Sequence, residues 1–269
     1  MEILYAVFLG LLQGATEFLP VSSSGHLILA QEFFGISLGG LAFDVTLHLG
    51  TLLAILVYFR NDFYSLGRAF FFLDKGEQAN RLRRQIFYIV IATIPAVIAG
   101  VLLEDTVETT FRSPLLVAVT LSALGFLLWL GEKKGTRSRG IESMRLKDAG
   151  IIGLAQAFAI IPGVSRSGST ITAGLFLGLE RPVCALFSFL LSAPIIFGAG
   201  IYQVPQILEQ GIDGRQALFY LFGFASSTFF GYLFISFLMR FVRTRSLAVF
   251  AYYRFFLSAL VVVVLVLGF

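Results

Sequence analysis

The sequence is poor in charged residues and contains almost no cysteine. Asp, Glu, Lys and Arg make up 13% of its 269 residues, whereas soluble globular domains carry roughly 25%. This deficit excludes an ordinary soluble domain. Cys184 is the single cysteine, so an intrachain disulfide is excluded. Residues 1–5 include no basic side chain, and no evident small-residue cleavage site follows them, so we expect no signal peptide.

Apolar residues fill most of the chain instead. They account for 57% of it, and the mean hydropathy is +0.88. A helix that crosses a membrane needs about 20 mostly apolar residues, and six stretches qualify: 41–59, 85–103, 114–131, 183–202, 216–239 and 248–269. The sequence therefore predicts an all-α integral membrane protein with six transmembrane helices. Its net charge of +4 comes from basic residues in short loops between these stretches, which argues against nucleic-acid binding.

One segment of the sequence occurs twice. Residues 10–26 align with residues 153–169 after a shift of 143 positions, with seven identities: Gly10/Gly153, Leu11/Leu154, Gln13/Gln156, Val21/Val164, Ser22/Ser165, Ser24/Ser167 and Gly25/Gly168. Each copy is an apolar run, interrupted by Pro and Gly, that leads into a Ser-rich turn. The first copy carries Glu17 and His26, and the second carries Arg166. We therefore expect the two copies to form complementary halves of one site.

The positions of Lys and Arg predict which connections face the cytoplasm, where basic residues collect. The basic connections are 60–84, 133–147 and the turn flanked by Arg240, Arg243, Arg245 and Arg254. The connections 104–113 and 203–215 are acidic and hold one arginine each, Arg112 and Arg215. We predict that the three basic connections lie inside and the two acidic ones outside.

This assignment constrains the path of the second half. Three apolar segments separate the second and third basic connections, and three crossings would place those connections on opposite sides. We therefore predict that segment 150–180, which Pro162, Gly163 and Gly168 interrupt, is a re-entrant helical hairpin. Irregular backbone at membrane depth must be buried in protein or line a cavity.

The repeat extends this prediction to the first half. Segment 3–34 should be a second re-entrant hairpin that enters from the other side. The chain is then one membrane domain, 1–269, with inverted-topology repeats at about 1–135 and 145–269, an architecture typical of transporters. We expect the two hairpin tips to meet in the core, where the helix N-termini after each turn would favour an anion.

Glu17 lies within an apolar run, four residues after Gln13 and on the same helical face. A carboxylate in such a run is costly and by default functional. It could serve as a general acid/base, or it could bind a hard divalent cation together with the neutral oxygen of Gln13. The structural alternative is a buried carboxyl that fixes the hairpin by hydrogen bonding.

His26 ends the first Ser-rich turn. Opposite a turn of Ser and Arg, it is a candidate proton shuttle or phosphoryl acceptor, although a membrane histidine can also simply join two helices. Ser23 and its neighbours are candidate helix N-caps, a role compatible with catalysis.

Asp44 and His48 lie four residues apart on one helical face, either as a helix-internal pair or as functional groups.

Arg166 is expected to be the single basic residue within the membrane-embedded core. A guanidinium matches phosphate oxygens in a bidentate fork, and the hydroxyls of Ser165, Ser167 and Thr170 with glycine-exposed amides would complete an anion cradle. The structural alternative is an ion pair between Arg166 and Glu17.

Three motifs in these segments carry a family resemblance. Residues 17–26 read EFLPVSSSGH, residues 43–54 read FDVTLHLGTLLA and residues 162–170 read PGVSRSGST. The chain resembles, over essentially its whole length, the bacterial undecaprenyl pyrophosphate phosphatases of the bacitracin-resistance type. This resemblance implies an inner-membrane enzyme that converts undecaprenyl pyrophosphate to undecaprenyl phosphate and inorganic phosphate, which recycles the lipid carrier for peptidoglycan and other envelope polymers. It also implies bacitracin resistance, because bacitracin sequesters the pyrophosphate.

The resemblance also assigns roles to residues. Catalytic roles fall on Glu17, Ser23, His26 and Arg166, and a divalent cation, Mg²⁺ or Ca²⁺, is expected near Glu17 and Gln13. Pyrophosphate binding is expected from Ser22, Ser24, Gly25, Ser165, Arg166, Ser167, Gly168 and Thr170. Many members carry Glu at the position of Gln13, which weakens a two-carboxylate metal site. His48 receives no family role. The nucleophile stays open among Ser23 activated by His26, His26 itself and water.

The expected substrate is a polyprenyl pyrophosphate, with its tail in a lipid-facing groove among membrane lipids and its headgroup in a cavity open to the periplasmic side. A homodimer is left open. One alternative function is a transporter that returns undecaprenyl phosphate inward, because inverted repeats are typical of alternating access. Another is a bacitracin-immunity protein that only binds its ligand.

Overall fold

Helices account for the described part of the chain. A computed structural model describes residues 2–34, 40–71, 75–109, 111, 113–209, 211 and 213–267. Within these ranges there are no β-strands, and the two shortest helices, Ile141–Ser143 and Phe158–Ile160, are 3₁₀ turns. The α-helices are α1 (Glu2–Phe18), α2 (Ser23–Phe34), α3 (Gly40–Tyr58), α4 (Arg60–Phe70), α5 (Glu77–Thr109), α6 (Pro114–Lys134), α7 (Leu146–Ala157), α8 (Arg166–Phe176), α9 (Arg181–Glu209), α10 (Gly214–Thr244) and α11 (Ala248–Leu267).

Five or six of these helices are suited to cross a membrane. Five pass by length and apolarity alone: Glu77–Leu103, Pro114–Lys134, Arg181–Pro205, Gly214–Thr244 and Ala248–Leu267. The first predicted span, 41–59, falls on α3, which with α4 forms a pair bent by 79° that counts as a sixth span if taken as one. Residues 268 and 269 of the last predicted span, and Arg112 of the first acidic connection, lie outside the described residues.

Large apolar side chains cover the outer surface of these helices. Val101, Leu102 and Val266 are 73%, 74% and 80% exposed, which water would disfavour and lipid tails favour. The prediction of an all-helical integral membrane protein agrees with this surface and with the apolar helices.

Glycines allow two helices of the repeated segments to pack closely on helices of the opposite half. A Cβ atom on Gly10 in α1 would lie 2.6 Å from the carbonyl oxygen of Gly223 in α10. A Cβ atom on Gly153, the repeat equivalent of Gly10 in α7, would lie 2.7 Å from the Cα of Ala92 in α5. Small residues at such crossings permit close backbone approach. The first half therefore packs its α1 against the second half, and the second half packs its α7 against the first.

The position of Arg254 corrects one prediction. Its place in the sequence predicts that it flanks the last turn with the other basic side chains, which leaves Arg166 as the single basic residue in the core. Arg254 is in fact the seventh residue of α11 and is 0% exposed. A charged residue near a helix end can lie either in a loop or inside the protein, and sequence position alone did not separate these cases.

Glu132 joins three separate parts of the chain near the end of α6. Its buried carboxylate accepts two hydrogen bonds of 2.6 Å from Arg181 at the start of α9. The hydroxyl of Ser246 and the backbone N–H of Leu247 also donate to it, at 2.9 and 3.2 Å, and Arg137 donates at 3.2 Å. This single carboxylate therefore anchors α6 to α9 and to the turn between α10 and α11.

Replacing Glu132→Gln should strongly destabilise the protein. The change keeps the size of the side chain but leaves Arg181 without its buried counter-charge, which typically costs about 3–5 kcal/mol. Unfolding by SDS in mixed micelles would measure the loss. The matched control is Glu180→Gln, an exposed acid next to Arg181, which should change the free energy of unfolding by less than about 0.5 kcal/mol. Equal stability of the two variants would contradict this role for Glu132.

Candidate active site

Two Ser-rich turns with the same local geometry begin α2 and α8. Ser22 and Ser165, which are repeat equivalents, have φ angles of 76° and 75°, a region that non-glycine residues rarely adopt. The hydroxyl oxygen of each accepts a hydrogen bond from a backbone N–H three residues later, that of Gly25 at 3.3 Å and that of Gly168 at 3.0 Å. The predicted helix starts after both turns, with serine as the capping residue, are therefore confirmed.

The two turns touch each other. A Cβ atom on Gly25 would lie 3.4 Å from the Cα of Gly163, and the Ser167 hydroxyl donates to the backbone carbonyl of Leu19 at 3.0 Å. Repeat segments that are 143 positions apart in the sequence thus form one unit in the fold. The two Ser-rich turns are therefore in contact with each other, which agrees with the expectation that they lie close together.

Glu17 is the point where the side chains of both turns converge. Its carboxylate accepts hydrogen bonds from the Ser23 hydroxyl at 2.6 Å and from the Gln13 amide at 3.0 Å. Arg166 of the second turn donates to the other carboxylate oxygen at 2.7 Å. Nε2 of His48 lies 3.6 Å from the carboxylate. Glu17 itself is only 7% exposed, so these partners take the place of water.

Arg166 is held in place from two sides. One terminal nitrogen of its guanidinium donates to Glu17 and the other donates to the backbone carbonyl of Ser188 in α9 at 3.0 Å. The Thr170 hydroxyl donates to the Ser188 hydroxyl at 2.7 Å. The structural alternative considered for Arg166, an ion pair with Glu17, is therefore present, and it brings the two turns to one point.

A polar cavity of about 260 Å³ opens at this point. Of the residues predicted for the site, Glu17, Ser23, Ser24, Ser165 and Arg166 line it. The others surround the cavity without lining it within the described chain: Gln13, Ser22, Gly25, His26, Ser167, Gly168 and Thr170. The backbone N–H groups of Gly25 and Gly168 donate to the capping hydroxyls of Ser22 and Ser165, so these two glycines shape the loops.

His26 faces away from Ser23. Its Nδ1 lies 2.6 Å from the backbone carbonyl of Ser22, which can only accept, so this nitrogen carries a proton. Its Nε2 lies 2.6 Å from the hydroxyl of Tyr253 in α11. No contact of the described residues joins His26 to Ser23. The Ser23 hydroxyl donates to Glu17, so activation of Ser23 by His26 stays a prediction.

Three residues near the site are not among the predicted site residues. His48 lines the cavity, and its Nδ1 bonds to the backbone carbonyl of Asp44 at 2.7 Å. Gln156, the repeat equivalent of Gln13, also lines it. Arg254 contacts both turns from the opposite side. The repeat itself could have indicated Gln156, whereas the other two depend on contacts between helices distant in sequence.

The residues around Glu17 could hold a cation. The side-chain oxygen of Gln13 is buried and has no hydrogen-bond partner among the described residues, and the carboxylate of Glu17 lies next to its amide. A neutral oxygen and a carboxylate are ligands that Mg²⁺ and Ca²⁺ accept. In the described ranges, no three His, Cys, Asp or Glu side chains cluster as a metal site, so water or substrate oxygens would have to complete the coordination.

Comparison with known proteins identifies the relatives of this chain. The sequence model of a family described as "Bacitracin resistance protein BacA" matches residues 6–260. A protein of Rubrobacter xylanophilus named undecaprenyl-diphosphatase is 50% identical, over 99% of this chain and 100% of its own length. Proteins of the same name from Trichlorobacter lovleyi and Moorella thermoacetica are 48% and 44% identical, over 94% and 98% of both chains.

Replacing Gly163→Ala should disrupt the contact between the turns. Gly163 has a φ of +86°, and an added Cβ would lie 2.0 Å from the Thr120 hydroxyl oxygen and 2.8 Å from the Val117 carbonyl oxygen. We expect a loss of about 3 kcal/mol or more in the free energy of unfolding. Gly211→Ala is the matched control, because Gly211 also has a positive φ, of +76°, but no atom of the described residues lies within 4 Å of an added Cβ. It should lose only about 1 kcal/mol; similar losses in both variants would show that backbone strain alone matters.

Proposed function

The chain belongs to the bacitracin resistance protein BacA family, and on this premise we propose that it is an undecaprenyl-diphosphatase. The family match and the names of the relatives support this activity. The enzyme hydrolyses undecaprenyl pyrophosphate: water is consumed, the phosphoanhydride bond breaks, and undecaprenyl phosphate and inorganic phosphate are the products. Recycling of the lipid carrier for peptidoglycan synthesis, and resistance to bacitracin, follow from this reaction.

The observation that carries the proposal is the meeting of Glu17, Ser23 and Arg166 in one cavity. Phosphoryl transfer depends mainly on positioning and on neutralising the charge of the phosphate oxygens. Arg166 supplies the positive charge, and in the absence of substrate Glu17 balances it. When a pyrophosphate enters, its oxygens compete for the same guanidinium, with the Ser24 and Ser165 hydroxyls as further donors to the phosphate.

Ser23 is the nucleophile that this geometry favours. Its hydroxyl donates to Glu17 at 2.6 Å, so Glu17 can take the proton as Ser23 Oγ attacks the terminal phosphorus. The bond to the bridging oxygen breaks, and undecaprenyl phosphate leaves with that oxygen. Water then attacks the phosphoserine, Ser23 Oγ recovers its proton from Glu17, and inorganic phosphate departs. His26 shapes the first turn through Ser22 and Tyr253.

We propose that a divalent cation, Mg²⁺ or Ca²⁺, binds beside Glu17. The buried, unpartnered oxygen of Gln13 supports this assignment. Gln13 and Glu17 would hold the ion, and when bound it would neutralise charge on the phosphate oxygens. The absence of a second carboxylate at the position of Gln13 means that Arg166 carries a larger share of that task than it would in a protein with Glu there.

The prenyl tail would lie in an apolar cavity of about 670 Å³ between α6, α7 and α8. The second turn separates it from the polar cavity: Ile161 and Val164 line the apolar side, while Ile160 and Ser165 line the polar side. A lipid with its headgroup at Arg166 could therefore place the first part of its tail against the apolar side of this turn. Phe158 and Phe176, which are 66% and 47% exposed, form part of its lining.

The arrangement in the membrane is proposed to follow the inverted repeats. If the residue numbers of α2 are increased by 143, the offset of the repeat, they become 166–177, and α8 spans Arg166–Phe176. This match supports re-entrant hairpins at 3–34 and 150–180 within a single domain. Ala96 and Gly100 line the polar cavity near the end of α5 that leads to the acidic connection. This supports an opening toward the periplasmic side of the inner membrane. A homodimer remains a prediction that the mass of the protein in detergent would test.

Purified protein in detergent should release inorganic phosphate from undecaprenyl or farnesyl pyrophosphate. EDTA should reduce the rate, and added Mg²⁺ or Ca²⁺ should restore it. Ser23→Ala should lower kcat by roughly 1,000-fold or more, because it removes the attacking oxygen. Arg166→Lys keeps the charge but loses the bidentate fork, and should lower kcat by roughly 100-fold.

The control for these variants is Ser65→Ala. Among the described residues this hydroxyl bonds only to the backbone carbonyl of Asn61 in its own helix, so its loss should leave kcat unchanged. A folded wild type that releases no phosphate, with or without added cations, would rule out the phosphatase. Full activity of Ser23→Ala would instead rule out Ser23 as the nucleophile while leaving the enzyme in place.

Filling the apolar cavity with Ala155→Trp should weaken substrate binding. Ala155 lines this cavity, and an indole there would displace at least two methylenes of the tail, at about 0.8 kcal/mol each. We expect KM for undecaprenyl pyrophosphate to rise about tenfold, with kcat nearly unchanged. Leu154→Trp is the matched control, since Leu154 is the preceding residue and is 58% exposed. An unchanged KM in Ala155→Trp would place the tail elsewhere.

A further inference from the structure

Arg254 is a fully buried arginine that the proposed reaction does not use. It is 0% exposed and is among the largest fully buried side chains in the described chain. Burying a guanidinium is costly unless hydrogen bonds or an opposite charge compensate. None of the salt bridges among the described residues includes Arg254. Hydrogen bonds must therefore provide the compensation.

All the hydrogen-bond acceptors of Arg254 are backbone carbonyls. Its Nε donates to one at 3.0 Å, its Nη1 to one at 3.1 Å, and its Nη2 to three at 2.8, 3.1 and 3.4 Å. In this order the acceptors belong to Leu121, Pro20, Gly163, Val164 and Thr120. The guanidinium thus connects α6 with both Ser-rich turns.

Arg254 makes one equivalent contact with each of the two turns. Pro20 and Gly163 are equivalent positions of the repeat, each two residues before the serine of positive φ. Arg254 binds the carbonyl of each, so one planar group fixes the same point of both turns. The Arg254 guanidinium also lies next to the first turn of α8, since a Cβ atom on Gly168 would be 3.1 Å from Nη1 of Arg254.

We propose that Arg254 is a positioning residue that sets the relative placement of the two turns, and through them the placement of Ser23 and Glu17 against Arg166. The proposal rests on the proposed phosphatase activity. Because the guanidinium offers five N–H donors in a rigid plane, it can hold several carbonyls of fixed geometry at once. Lysine has a similar charge but a compact ammonium with three donors, so it cannot span both turns and α6.

Two variants separate the geometry of this group from its charge. Arg254→Lys keeps the charge and most of the volume, and Arg254→Met removes the charge. Arg243→Lys, at an exposed position near the end of α10, is the matched control. Phosphate release gives kcat and KM, and hydrogen–deuterium exchange reports the opening of residues 20–26 and 162–169 against that of α3 and α9.

We expect folded Arg254→Lys to keep KM within about threefold and to lose roughly 100-fold in kcat, as expected for a displacement of reacting groups by about 1 Å. Exchange should rise in both turns and stay unchanged in α3 and α9. Arg243→Lys should match wild type in both measurements. If Arg254→Met does not fold, Arg254→Lys alone decides the outcome.

Two results would overturn the proposal. Wild-type kcat in folded Arg254→Lys would show that charge alone suffices, and faster exchange throughout the protein would show a general role in stability. If the wild type releases no phosphate, the proposed function fails. The exchange measurement still tests whether Arg254 holds the two turns together.

Discussion

Two helices are interrupted in the interior of this protein, and the backbone groups left open there need hydrogen-bond partners other than water. Unpaired buried backbone groups are strongly disfavoured, so much of the local sequence serves to satisfy them. Ser22 and Ser165 cap the N–H groups of the new helices. Thr120 donates to the carbonyl of Pro162 at 2.7 Å, and Arg254 takes up further carbonyls of both turns. The breaks thereby become rigid enough to carry reactive groups.

The same breaks explain why opposite charges can meet in an apolar interior. Glu17 lies near the end of α1, and Arg166 is the first residue of α8. Each charge would be costly alone, and each reduces the cost of the other only if both turns stay in register. Glu17 and Arg166 are not fully enclosed by protein, because part of each side chain faces a cavity. An anion that enters this cavity can therefore take the place of Glu17 as the charged partner of Arg166.

The sequence predicted the features that depend on repetition and on local spacing. The contact of Gln13 with Glu17 follows from a spacing of one helical turn, and the meeting of Ser22–Gly25 with Ser165–Gly168 follows from the repeat. Contacts between distant helices could not be read in this way. His26 is 227 positions from Tyr253, Arg254 is 234 from Pro20, and the approach of His48 to Glu17 depends on the packing of α3 against α1.

The exchange of packing partners between the halves has a consequence for biosynthesis. α1 is made first, yet it packs against α10, which is nearly the last helix to leave the ribosome. Arg166 follows Glu17 by 149 positions, so at about 5–20 residues per second Glu17 waits roughly 7–30 s for its counter-charge. During this interval α1 and the turn after it lack their contacts with the second half. Their final packing therefore belongs to a late stage, when the second half has been made.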